Sequence, residues 1–242
     1  KRGHIIVDKV TDPSGDPQSF AFTTGGAGYA GFSLTDAADP NDQERVPGTY
    51  SVAETVPAGW DLTSATCDNE DDPSAITLGA GETVTCTFTN TKLGTIIVQK
   101  QTSPDGAPDD FTFSGDAAGA ISDGEQIVVG NLVPGAYTST EADPGVNWDL
   151  GAILCDDANS TGSVGTRTAT FNLEPGETVT CVFTNVQRGT ITIIKDAIPN
   201  DAQDFPFTSS ISSVQVTVPS TAAGGINTGI VIPAGGCVTI TA

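Results

Sequence analysis

The chain has 242 residues, with Asp+Glu 30 against Lys+Arg 9, one histidine and a formal net charge of −21. That acidic excess excludes a nucleic-acid partner, which needs a basic surface, and equally disfavours an anionic membrane surface. Gly 28, Pro 15 and abundant Thr, Ser and Val describe short strands and tight turns, and no stretch reaches the ~20 apolar residues of a spanning helix.

The first element is the strand Gly3-His-Ile-Ile-Val-Asp-Lys9, whose Ile5, Val7 and Lys9 fall on one face. A turn at Asp12-Pro-Ser-Gly15 leads into a strand around Phe20-Ala-Phe22-Thr23. Residues 36–44 read as an acidic loop. Val46-Pro-Gly-Thr-Tyr50 then opens a strand with Tyr50, Val52 and Glu54 on one face. Beyond Pro57-Ala-Gly59 comes the strand Trp60-Asp-Leu62, and residues 68–72 form a second acidic loop. The last strand puts Val84, Cys86, Phe88 and Asn90 on a single face. Calcium is one reading of the acidic loops, but the EF-hand spacing is absent and solvated loops suffice. Alternation with Leu62 makes Trp60 a core anchor in preference to a sugar platform, and Trp148 with Leu150 reads the same way.

These elements return in order. Gly94-Thr-Ile-Ile-Val-Gln-Lys100 repeats the first strand, Phe111-Thr-Phe113 the second, Val133-Pro-Gly-Ala-Tyr137 the third, and Trp148-Asp-Leu150 the fourth. Gly176-Glu-Thr-Val-Thr-Cys181 repeats Gly81-Glu-Thr-Val-Thr-Cys86, and Phe183-Thr-Asn185 repeats Phe88-Thr-Asn90. Gly189-Thr-Ile-Thr-Ile-Ile-Lys195 opens a third copy that lacks the Glu segment and the closing Asn. The expected domains are a repeat at 1–93, a repeat at 94–188 and a partial or divergent repeat at 189–242. Each full repeat has roughly seven short strands between turn clusters, so the expected fold is all-β, with tandem immunoglobulin-like β-sandwiches in an elongated array. The start at a repeat junction and the stop within a third copy suggest a slice of a longer array.

Cys67 with Cys86, and Cys155 with Cys181, hold equivalent places in the two repeats, so each pair is expected to form a disulfide in an oxidising compartment. Zinc fails as a reading because no C-x-x-C occurs and His4 is the sole histidine. Cys237 has no evident partner. Asn159-Ser-Thr161 is a glycosylation sequon.

Alternation has a further consequence. If the apolar faces are the core, repeat one buries Lys9, Glu54 and Asn90, and repeat two buries Lys100, Glu141 and Asn185. Isolated burial of such groups is costly, so they are expected to meet. Burial favours a neutral amine and a neutral acid. The amine could then attack the asparagine carboxamide, expel ammonia and leave a Lys–Asn amide. A non-covalent buried cluster is the other reading. The first-strand lysine, Pro-Gly-x-Tyr-x-x-x-Glu running into the Trp60 strand, and the closing Phe-Thr-Asn resemble the CnaB / SpaA-type prealbumin-like domains of bacterial surface adhesins and pilins. That resemblance implies an internal isopeptide bond assisted by the Glu, carried here by Lys9, Glu54, Asn90, Lys100, Glu141 and Asn185.

The expected function is an extracellular, cell-surface structural protein: a stalk, pilus or filament subunit polymerising with copies of itself or with other surface subunits. An adhesin binding a host, matrix or glycan ligand through its loops is the alternative. An enzyme is disfavoured by the lack of a nucleophile elbow, metal cluster or phosphate loop. No cofactor, resident metal or direct membrane insertion of this segment is expected.

Overall fold

Alternation sets the framework. Strand β1 (Gly3–Asp12) buries every second residue from Gly3 to Thr11, and β8 (Thr83–Lys92) buries Val84, Cys86, Phe88 and Asn90. Between them lie β2 (Phe20–Gly25), β3 (Phe32–Leu34), β4 (Asn41–Arg45), β5 (Gly48–Thr55), β6 (Trp60–Cys67) and β7 (Ile76–Leu78). They form two sheets, in the orders β4-β1-β8-β6 and β3-β2-β5-β7. The pair β1·β8 is parallel; the other pairs are antiparallel.

The second sandwich repeats this plan. It contains β9 (Gly94–Ser103), β10 (Phe111–Gly115), β11 (Gly119–Ile121), β12 (Gln126–Leu132), β13 (Gly135–Glu141), β14 (Trp148–Cys155), β15 (Thr161–Ser163), β16 (Thr168–Leu173) and β17 (Thr178–Gln187). Its sheets run β12-β9-β17-β14 and β11-β10-β13-β16-β15, again with a central parallel pair, β9·β17. The computed structural model describes residues 1–191 throughout and, beyond them, the backbone of 194–195, 204–209, 215–219, 225–226, 230–232 and 240–241. Cys237 and the side chain of Lys195 lie outside the described residues. Among the described residues there is no helix.

Each core is stitched by the same aromatic contacts. Phe20 meets Trp60 edge-on at 5.3 Å and Phe111 meets Trp148 at 5.5 Å, while Phe22–Phe88 and Phe113–Phe183 stand at 5.1 and 5.0 Å. Both tryptophans are buried anchors.

Two features depart from the sequence reading. Part of the acidic loop at 36–44 is strand: β4 pairs with β1, Gln43 opposite Ile5. It is an edge strand, and its polar, charged side chains spare the sheet an apolar edge. The added residues between Cys155 and Cys181 build β15 and lengthen β16 to six residues, where β7 has three.

One residue, Leu93, separates β8 from β9. Glycine opens each first strand for a steric reason: a Cβ on Gly3 would lie 2.6 Å from the Glu82 carbonyl, and one on Gly94 would lie 2.8 Å from that of Glu177. Those carbonyls accept from His4 N at 2.8 Å and Thr95 N at 2.9 Å.

Candidate self-crosslinking site

Lys9 follows Ile5 and Val7 on the inward face of β1, and Asn90 is the last inward residue of β8. Register pairs Lys9 with Phe88, so the lysine must reach one inward step further to meet Asn90. It does so: Lys9 Nζ donates to Asn90 Oδ1 at 2.9 Å, to Val10 O at 2.7 Å and to Phe88 O at 3.1 Å. The Asn90 amide in turn donates from Nδ2 to Glu54 Oε1 at 2.5 Å, and the other carboxyl oxygen lies 3.8 Å from Lys9 Nζ. Glu54 comes from β5 in the facing sheet, so the three groups meet between the layers. Both the Lys9 and Glu54 side chains are 0% exposed.

The second site follows the same plan with looser contacts. Glu141 Oε1 accepts from Asn185 Nδ2 at 2.7 Å, and Lys100 Nζ donates to Gln101 O at 2.9 Å and Phe183 O at 3.1 Å. Asn185 Oδ1 makes no hydrogen bond among the described residues. The lysine nitrogens lie 4.2 Å from the ring centres of Phe20 and Phe111.

Burial is the largest influence on all four titratable groups. It lowers the Lys9 pKa against the opposing pull of Glu54, and it raises the Glu54 pKa against the Asn90 hydrogen bond and Lys9. It brings Lys100 down to about 8, with Glu141 and Asp123 opposing, and it raises Glu141 against Lys100, the Asn185 bond and Arg167. Glu54 Oε2 and Glu141 Oε2 are buried and accept no hydrogen bond, an environment that suits a protonated acid. The arrangement therefore moves the amine and the carboxyl toward their neutral forms on either side of a primary amide.

The cysteines expected to pair are joined: Cys67 to Cys86 and Cys155 to Cys181, with Cα atoms 3.9 and 4.0 Å apart. Asn159 is exposed, with its Nδ2 donating to Glu174 Oε1 at 3.1 Å. In each acidic loop a carboxylate accepts from backbone amides. Asp36 accepts from Thr11 N at 2.6 Å and from Gly15 N, and Asp71 accepts from Thr77 N at 2.7 Å. Among the described residues no three His, Cys, Asp or Glu side chains gather as a metal site.

Sequence reasoning placed Asp36 in an acidic loop without a role and passed over Asp123. Asp123 accepts from Thr102 N at 2.6 Å and Gly106 N at 2.7 Å, so each aspartate clasps the turn that follows a lysine strand. The signal was present as Leu34-Thr-Asp36 against Ile121-Ser-Asp123. Arg167 was also missed. Its carbonyl accepts from Glu141 N at 2.9 Å, and it belongs to the added hairpin, which has no counterpart in repeat one.

A family model described as a SpaA-type prealbumin-like fold domain matches residues 5–92 and again 96–187. No curated protein matches the chain in sequence. Among solved structures, the Bacillus anthracis TIE protein is 18% identical, with TM-score 0.41 over 100% of this chain and 45% of its own. This chain thus spans less than half of that protein. The major pilin from Streptococcus pyogenes is 15% identical, with TM-score 0.34 over 76% of this chain and 98% of its own. The shaft pilin SpaA from Lactobacillus rhamnosus GG is 11% identical, with TM-score 0.28 over 79% and 100%.

Proposed function

The chain belongs to the SpaA-type prealbumin-like domain family, and from that premise we propose that it is a structural segment of an extracellular stalk, pilus or filament. It is not an enzyme in the ordinary sense: each full repeat acts once, on itself. The observation that carries this reading is the Lys9 nitrogen 2.9 Å from the Asn90 carboxamide oxygen, with the amide nitrogen held by Glu54.

The proposed step balances without a co-reactant. Neutral Lys9 Nζ attacks Asn90 Cγ while the Glu54 acid hydrogen-bonds the carboxamide. The Nζ–Cγ bond forms and the Cγ–Nδ2 bond breaks. One proton leaves Nζ, one reaches Nδ2 by way of the Glu54 carboxyl, and ammonia departs. Lys100, Glu141 and Asn185 do the same in repeat two.

A bond there would carry load directly across a domain. The chain enters at Gly3 and leaves after Lys92, and Lys9 and Asn90 stand near one end of the parallel β1·β8 pair. Tension would pass through the first strand, cross the bond and exit, leaving residues 10–89 unloaded. We further propose repeat units at 1–93, 94–188 and 189–242, assembly with like chains or other surface subunits, and Asn159 as a glycan acceptor. Proteolysis followed by tandem mass spectrometry tests the chemistry. Branched peptides joining Lys9 to Asn90 and Lys100 to Asn185 are expected; linear peptides alone would refute it.

A further inference from the structure

Strand β8 is the centre of its sheet, with β1 on one side and β6 on the other. Its outward residues are Thr83, Thr85, Thr87, Thr89 and Thr91. A slip of two residues would replace threonine by threonine on that face, so the outer face specifies register weakly. On the inner face the same slip would move Asn90 by about 7 Å and bring Phe88 to Glu54 in its place.

The strand beside it is irregular at the sensitive point. In β6 the pairing shifts between Leu62 and Ser64, opposite Asn90 and Thr89. In β14 it shifts between Leu150 and Ala152, opposite Asn185 and Thr184. A bulge offers two nearby registers, one on each side of it. In both repeats a cystine lies beyond the bulge: Cys67 opposite Cys86 and Cys155 opposite Cys181. Cys86 and Cys181 stand four residues before the asparagine, on the same buried face.

The other end of β6 leads to the acid. Only the segment 56–59 separates β5, which carries Glu54, from β6. Through the cystine, Glu54 and Asn90 are linked by a covalent path of under twenty residues, in place of the 36 along the chain. In repeat two the path replaces a separation of 44.

We propose that each cystine is a positioning element for the Lys–Asn reaction, pinning the last strand in the one register that presents the asparagine to its acid and amine. The inference rests on the crosslinking reading above. It also orders two covalent events. Two thiols first give two electrons and two protons to an external disulfide, and amide formation becomes fast only afterwards. Cys67, Cys86, Cys155 and Cys181 touch none of the reacting atoms, so their part is placement.

The test is cell-free synthesis of the full chain with glutathione, following the branched peptide of each repeat over time. In the Cys67→Val/Cys86→Val variant, repeat two serves as internal standard. The Lys9–Asn90 crosslink should form at least roughly threefold more slowly than in the parent chain, while Lys100–Asn185 keeps its rate. An unchanged Lys9–Asn90 rate in a repeat that resists limited proteolysis would overturn the proposal. If that variant does not fold, the parent chain is made with reduced glutathione and then pulsed with oxidised glutathione. Crosslinking that begins at the pulse supports the proposal; crosslinking complete before it overturns the proposal. A parent chain that never crosslinks under oxidising conditions would sink the underlying chemistry as well, a result distinct from either of these.

Discussion

A lysine amine stripped of water is a weaker base and a better nucleophile, and a carboxyl stripped of water keeps its proton. Burial acts in this way on Lys9 and Glu54, and on Lys100 and Glu141, against the attraction within each pair. Replacing Glu54 or Glu141 by Gln removes the proton carrier while keeping the shape. Crosslinking in that repeat should slow by about 10²–10⁴-fold, read from its branched peptide, with the other repeat unaffected. The pH dependence of a crosslink-free Asn185→Ala chain is also set. Lys100 has its folded pKa near 8 against 10.5 when exposed, so from pH 8 to 10.5 the unfolded chain holds more protons and stability should rise. Glu141 is raised, so its contribution is present below the unfolded value of 4.5 and is lost as pH climbs through the folded pKa. Denaturant melts across pH, followed by Trp148 fluorescence, would register both slopes. All six of these side chains were legible in the sequence because a polar residue on an apolar face stands out by its period. Asp36 and Asp123 were not, because they bond to backbone amides and no side-chain pattern records that.

Strands announced themselves where alternate residues form one apolar face, as in β1, β8, β9 and β17. Strand β4 did not. Asn41-Asp-Gln-Glu-Arg45 has no apolar face, and its strand state comes from backbone pairing with β1 alone. The lengthened β16 was equally hidden, because the wider cysteine spacing gives the size of an insertion and not its pairing. Its consequence is local: β13 and β16 pair from Gly135 to Thr140, and the Arg167 carbonyl then holds the Glu141 amide. The opening glycines give an element-scale prediction. Gly94→Ala would press a methyl against the Glu177 carbonyl and strain the Thr95 hydrogen bond to it. A loss of about 1–3 kcal/mol from repeat two is expected, read as a lower melting transition for that repeat with repeat one unchanged.

At the scale of the molecule, two sandwiches are joined through the single residue Leu93, whose amide donates to Gly59 O at 2.9 Å, while Gly176 N donates to Lys92 O at 3.0 Å. The cystines lie within 10–89 and its counterpart in repeat two, off the proposed load path, so they guide folding without bearing tension. Pulled from its ends as a single molecule, the crosslinked chain should not extend in repeat one. A Lys9→Ala chain with its cystine reduced should release residues 10–89, about 270 Å of extended chain. Tandem architecture was legible from self-comparison of the sequence; the meeting of three groups across two sheets was legible only as a consequence of it. The most direct measurement is the intact mass of the folded, fully reduced chain. One ammonia should be missing for each of the two full repeats. A folded chain at its full unreacted mass would contradict the covalent chemistry outright.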